Sequence, residues 1–452
     1  MKDESRSHRR QFLKTAALSA VSSVAGPVIM AQAKGERRYR TALIGTGWWG
    51  MNILGEAMRA GRSTIVALCD VDQRLVNPAR DRVEKETGSK PNIYSDFREL
   101  LEREKPEIVI VATPDHWHPL ITIAALRSGA HVYVEKPVGH TIGEGRAMVT
   151  AARETKGVVQ VGTHRRVSPH NVSGMEFLRS GKAGRIGSVR AFVHYEGGAE
   201  KPILNQQPPP ELDWEMWCGP APKRYYCENK GDWGNAIHRR SWRSYLDYAN
   251  GTLGDWGIHW MDQILWWSEE KYPKTVTAAG GRPIKGVPVY NEKEQTTDAP
   301  DHLVATFEFE EFTAYWEHRN FAGHTAERGE NVGCHFYGTK GTFHMGWKDG
   351  WSFYPAQKGG KVITQKPTLH EPDQQNIREL WTDLIDSIES KRRAVCDIEI
   401  GHLSTNVSLL GMLSYKLGRS VKWNGEKESF DDDEAANQLL RREYRGAWEY
   451  PS

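Results

Sequence analysis

The segment Gly45-Thr46-Gly47-Trp48-Trp49-Gly50 limits what this chain can fold into more than any other. It follows the apolar run Thr41-Ala42-Leu43-Ile44 and leads into a helically patterned stretch, Met51 to Ala60. Strand, glycine turn and helix in that order form a G-x-G-x-x-G fingerprint in its required setting. Gly45 admits the tight turn, Gly47 lets a pyrophosphate approach the backbone, and Gly50 lets helix and strand pack closely. The helix start, with Trp48 and Trp49 in the same turn, offers free N–H groups and a positive dipole end to phosphates. A Rossmann unit that holds a dinucleotide is the expectation.

The residues that follow keep to that plan. A second strand, Thr64 to Cys69, ends in Asp70, where a carboxylate accepts hydrogen bonds from the adenosine ribose. An acid there repels a 2′-phosphate, which favours NAD over NADP. A helix (Ser95 to Arg103) and a buried strand (Ile108 to Ala112) lead to the loop Thr113-Pro114-Asp115-His116-Trp117-His118. In doubly wound sheets ligands bind at this carboxyl edge, which nominates Thr113 and Pro114 as cofactor contacts. A helix (Leu120 to Ser128), a strand (His131 to Val134) and Glu135-Lys136-Pro137 come next. A lysine at the end of such a strand reaches the nicotinamide, where its ammonium stabilises charge on a reacting oxygen.

Further on, Asp255 and His259 stand four apart and Asp262 three beyond, so one helix would present all three on one side. An Asp there can equally cap a helix. Asp-x-x-x-His can also bind a metal, but no third ligand stands at a recognisable spacing, and no metal is expected. Val161-Gly162-Thr163-His164-Arg165-Arg166 reads as the first strand of a second domain.

The fingerprint, the strand ending in Asp70, Thr113-Pro114 with His118, and Glu135-Lys136-Pro137 occur in an order that resembles the glucose–fructose oxidoreductase / inositol dehydrogenase / rhizopine catabolism (Gfo/Idh/MocA) family. The likeness covers nearly all of residues 37–425 and includes the Asp255, His259 and Asp262 pattern, with Asn250 in place of a glycine. It implies an α/β chain: a Rossmann domain over 37–157, then a domain over 158–425 with a large open, mostly antiparallel sheet that often makes an oligomer interface. The resemblance implies NAD beside Glu135, Lys136 and His118, and catalysis by Lys136, His259 and Asp255. It also places Asp255 and His259 around a sugar, with Asp262 there too or only orienting His259, and Arg165 or Arg166 either lining the cleft as a sugar contact or making a surface ion pair. The function implied is hydride transfer at a sugar, polyol or glycoside hydroxyl, probed below against a redox-neutral NAD-dependent glycosidase and a non-catalytic sensor.

The ends and the composition add the setting. Arg9-Arg10-Gln11-Phe12-Leu13-Lys14, a mildly apolar run to Met30 and Ala31-Gln32-Ala33 read as a twin-arginine export signal over 1–33. The expected destination is the periplasm, reached folded and with cofactor loaded. Residues 1–33 carry five basic side chains against Asp3 and Glu4, a net +3 in a chain of net +2, so the remainder is −1. That balance speaks against nucleic acid or an anionic membrane as partner. No apolar run is long enough for a membrane span. Five scattered cysteines do not form a disulfide framework, though Cys218 and Cys227 could pair after export. Residues 200–250 hold Trp214, Trp217, Trp233 and Trp242 and read as an aromatic insertion shaping a sugar cleft or an oligomer contact. Asn376 to Lys391 is an amphipathic helix expected against the sheet, and 426–452 a docking arm; a homodimer or tetramer is expected.

Overall fold

Six short strands, apolar on both faces, build the first sheet. They are β1 (Tyr39–Ile44), β2 (Ser63–Cys69), β3 (Asn92–Tyr94), β4 (Ile108–Val111), β5 (His131–Val134) and β6 (Val159–Val161). All pair in parallel in the order β3-β2-β1-β4-β5-β6. The computed structural model describes residues 37–229, 236–323, 329–371 and 374–451; the export signal expected over 1–33 and Trp233 lie outside them. Parallel strands need crossovers that cover both faces, which is why β1, β4 and β5 are buried almost without alternation. The helices are α1 (Trp48–Arg59), α2 (Gln73–Thr87), α3 (Phe97–Glu104), α4 (His118–Arg127) and α5 (Ile142–Thr155). Chain order reverses between β1 and β4, so the ligand crevice opens at the carboxyl ends of those strands.

The glycine turn is sterically specified. Gly45 has φ +95°, and a Cβ at Gly50 would stand 2.0 Å from the Gly45 carbonyl oxygen. Gly50→Ala is therefore expected to push α1 off β1 and destabilise the protein by about 1–3 kcal/mol. A thermal midpoint equal to the wild type would contradict this packing.

The second sheet has nine strands, centred on Ile186–His194. That strand runs parallel to Thr313–Arg319, whereas the other pairings are antiparallel. Val332–Gly338 and Gly341–Gly346 form a hairpin through Thr339-Lys340. Helices Ile258–Ser268 and Ile398–Leu417 supply Trp260, Ile264 and Leu410 to a core shared with Phe307 and Trp316 of the sheet.

Several placements differ from those expected. Val159–Val161 is the last strand of the first sheet, not the first of the second, so the Rossmann unit runs past residue 157. His164–Arg166 is a 3-10 turn. A short run with a buried polar residue, here Gln160 bonded to the Leu380 carbonyl oxygen and Asp383, fits either sheet by pattern alone. The helix Ile377–Ser390 lays Leu380, Trp381 and Leu384 into the first core rather than on the second sheet. The C-terminal segment, expected as a docking arm, packs against the first domain. Tyr444 donates to Glu144 at 2.7 Å, Arg442 pairs with Glu144 at 2.8 Å, and Trp448 packs edge-on against Trp117. The aromatic insertion forms its own small core, in which Trp214 stacks on Trp217 with centroids 4.5 Å apart. Cys218 and Cys227 are both buried there as free thiols.

Candidate active site

A cleft of about 1510 Å³ runs along the carboxyl edge of the first sheet and is closed by residues of the second domain. Gly45, Gly47, Trp48, Trp49 and Asp70 line it, as do Thr113, Pro114, His118, Glu135, Lys136, Asp255 and His259. Gly50 stands behind the turn, where its role is packing.

The nucleotide portion fits a dinucleotide on its own geometry. Gly47 is the N-cap of α1, supplies no side-chain cap, and has open space where a Cβ would stand. The first N–H groups of α1 are left for a ligand's phosphates. Asp70 accepts from the Thr46 amide at 2.7 Å, the Thr46 hydroxyl at 3.0 Å and the Asp72 amide at 3.0 Å, which fixes its orientation. Burial holds its carboxyl above the usual range, with those hydrogen bonds pulling against it. Arg74, the basic residue just after β2, is tied to Asp72 at 2.7 Å and Glu228 at 3.0 Å. It is engaged elsewhere, and the site presents a carboxylate to the ribose.

The reacting corner joins distant parts of the chain. Lys136, just after β5, donates through Nζ to Asp255 Oδ1 at 2.7 Å and to the Asp255 carbonyl oxygen at 2.9 Å. Arg243 donates to the same carboxylate oxygen at 3.3 Å. Although burial opposes it, Lys136 and Arg243 hold the Asp255 carboxyl below its usual range, as a carboxylate. Beneath Lys136, Glu135 accepts from Tyr133 at 3.3 Å and from Trp49, linking the glycine turn to β5. A Cβ at Gly162 would stand 2.2 Å from Glu135 Oε1, so only glycine leaves that carboxylate its place.

His259 is 7% exposed and enclosed by Trp256, Trp347 and His164. Its Nδ1 has no hydrogen-bond partner among the described residues. Burial, then the charges of Lys136 and Arg165, keep it well below its usual value, so the ring is neutral and basic sites remain for a proton. His118 lines the cleft but acts as a strut. Its ring nitrogens lie 2.8 Å from the Pro137 and Thr113 carbonyl oxygens, across the loops after β5 and β4. Burial lowers its pKa to about 4.

Three residues expected around the sugar stand elsewhere. Arg166 pairs with Asp262 at 2.9 Å, and Asp262 is 0% exposed and also accepts from Ser404. Arg165 donates to the Gly346 and Trp347 carbonyl oxygens and lies over the Trp260 and Trp347 rings. It therefore holds Trp347, which does line the cleft. Leu253–Gly257 is a π-helical turn, followed by the α-helix Ile258–Ser268. Asp255 lies in the π turn, His259 and Asp262 in the α-helix, and Asp262 is held away from the cleft by Arg166 and Ser404. Arg243, Trp347, His164 and Asp115 line the cleft without having been singled out. Asp115 and His164 stand within segments quoted above, but their residue types give them no role there, and Arg243 and Trp347 lie outside any local motif.

Three family models match the chain: the oxidoreductase family NAD-binding Rossmann fold over residues 39–163, the GFO/IDH/MocA C-terminal domain over 221–344, and the oxidoreductase family C-terminal alpha/beta domain over 361–450. An alpha-N-acetylgalactosaminidase of Shewanella oneidensis is 31% identical over 172 residues, covering 33% of this chain and 38% of that protein. The matched region thus spans well under half of that relative. Among solved structures, an aldose-aldose oxidoreductase from Caulobacter crescentus, complexed with glycerol, is 19% identical with a TM-score of 0.63, covering 85% of this chain and 100% of that one. The WlbA dehydrogenase from Bordetella pertussis, in complex with NADH and UDP-GlcNAcA, is 18% identical with a TM-score of 0.60, covering 86% and 99%. These structures share the fold.

Proposed function

Because this chain belongs to the Gfo/Idh/MocA oxidoreductase family and carries its NAD-binding Rossmann unit, we propose that it oxidises or reduces a hydroxyl-bearing carbon of a sugar, polyol or glycoside. The observation that carries this reading is the Lys136–Asp255 pair at 2.7 Å beside a neutral His259 in the dinucleotide cleft. When bound, NAD supplies the hydride acceptor or donor. Lys136, oriented by Asp255, donates a hydrogen bond to the reacting oxygen and stabilises the negative charge that develops there. His259 takes the hydroxyl proton in the oxidative direction and returns it in the other. Trp242, Trp256 and Trp347 line the cleft and offer apolar faces to a pyranose ring.

The same reading includes a cofactor that is loaded before export to the periplasm and stays bound, in a homo-oligomer. Arg240 of the second domain lies over the Trp48 ring, 4.4 Å from its centroid, and so reaches across the cleft to the glycine turn. The test is nicotinamide absorbance of the purified protein as sugars, polyols and glycosides are added. A change with one class is the expected result. Bound dinucleotide that responds to none of them would overturn the proposed reaction.

A second reading is favoured by the named relative. An enzyme with this cleft could oxidise a glycoside transiently, acidify the neighbouring C–H so that the aglycone is eliminated with a proton, add water to the resulting enone and return the hydride to the ketone. Sugar release without net cofactor reduction identifies that outcome.

A further inference from the structure

Asp115 has no part in the chemistry above, yet it lines the cleft. It opens the turn Asp115–Trp117 that follows Thr113-Pro114 at the end of β4. Its residue is 3% exposed, and Oδ2 finds no hydrogen-bond partner among the described residues. Buried polar atoms in native proteins are nearly always satisfied, so an unpartnered oxygen on a residue that lines a binding cleft points to a partner that arrives with the ligand. In the sheet β4 lies between β1, which carries the glycine turn, and β5, which carries Lys136. An acid at its end therefore sits between the phosphate-binding turn and the reacting corner.

The charges around it determine what that partner is. Asp255 and Glu135 face it as acids, and Arg243 and Lys136 as bases. Both bases are already bonded to Asp255. Burial first, and the Asp255 charge second, hold the Asp115 carboxyl well above its usual range. That shift favours the protonated carboxyl, whose O–H is a donor that a carboxylate lacks.

We propose that Asp115 positions the bound ligand by donating a hydrogen bond to an uncharged oxygen, either the carboxamide oxygen of the nicotinamide or an oxygen of the sugar. The proposal rests on the NAD-dependent sugar reading of the cleft. It requires that asparagine, which keeps a donor in the same shape, preserve the effect, and that leucine, similar in size without one, abolish it.

The experiment is equilibrium dialysis of the full-length wild type, Asp115→Asn and Asp115→Leu against NAD⁺ and against ADP-ribose, which lacks the nicotinamide. With the carboxamide as acceptor, Asp115→Leu raises the Kd for NAD⁺ about ten-fold and leaves that for ADP-ribose unchanged, while Asp115→Asn stays close to the wild type. With the sugar as acceptor, both Kd values hold, and Asp115→Leu raises the KM of the sugar that turns over about ten-fold, again with Asp115→Asn near the wild type. Asp115→Ala replaces the leucine variant if that does not fold, with the same comparisons. The proposal is overturned if the donor-free variant equals the wild type throughout, or if Asp115→Asn is as impaired as Asp115→Leu. Wild type that binds neither NAD⁺ nor ADP-ribose would overturn the NAD reading and the proposal together.

Discussion

Lys136→Met is expected to keep its bound dinucleotide and its thermal midpoint while kcat falls by roughly 10²- to 10³-fold, the loss that follows removal of one preorganised donor to a developing oxyanion. Methionine fills the space of the lysine stem but cannot donate. The side chain touches Asp255 and the cleft, and no part of the Rossmann core rests on its ammonium. Asp255→Asn should cost less, because the backbone carbonyl oxygen of residue 255 still accepts from Lys136. The two losses should not add. Asp255 works through the lysine it holds at 2.7 Å, so the double variant should fall little below Lys136→Met alone. Steady-state kinetics with the responsive sugar, together with absorbance of the denatured supernatant for dinucleotide content, decide the matter. Turnover retained in Lys136→Met, or dinucleotide lost from it, would contradict the role assigned to Lys136.

The second large effect is on stability in acid. Burial lowers His116 and His164 to about 3, and His118 and His318 to about 4. It also keeps His140 and His259 well below their usual value. In the unfolded chain each would titrate near about 6.5. The folded protein therefore binds fewer protons than the unfolded chain below that pH, and stability is lost as pH falls from there towards the folded values. Each such group costs up to about 1.4 kcal/mol per pH unit, and six together reach the order of a domain's whole margin of about 5–15 kcal/mol. Asp115, held high by burial, works in the opposite sense and offsets only part of this. Urea or thermal midpoints should be nearly flat between about pH 8 and 7 and fall steeply between about pH 6.5 and 5. Midpoints that hold steady down to about pH 5 would mean that these histidines are not buried neutral.

Most of the first domain could be read along the chain because its information is local. The glycine turn, the strand ending in Asp70 and the strand ending before Glu135 are each specified within a few residues, and the parallel order follows from right-handed crossovers. Lys136, Asp255 and His259 could be named because residue types and spacing survive in the sequence. What could not be read depends on the third dimension. The π-helical turn at Leu253–Gly257 carries no composition that separates it from an α-turn, and the pairing of Asp262 with Arg166 depends on a residue 96 positions earlier. Val159–Val161 is too short to declare its sheet. A docking arm is expected over 426–452, but its docking site is not written in the segment itself: Arg442 and Tyr444 meet Glu144 some 300 positions earlier. Asp115 lies in the loop after β4, where residue type alone gives it no role; its significance lies in the Oδ2 left without a partner among the described residues.

The central claim is that a sugar carbon and a bound nicotinamide exchange hydride in this cleft. It is tested most directly by incubating the purified protein with the responsive sugar deuterated at its carbinol carbons, then releasing the dinucleotide for mass spectrometry. The expected result is deuterium in the reduced dinucleotide from the wild type and very little from Lys136→Met. Dinucleotide that stays unlabelled in the wild type, while the sugar is nonetheless consumed, would contradict hydride transfer as the function of this site.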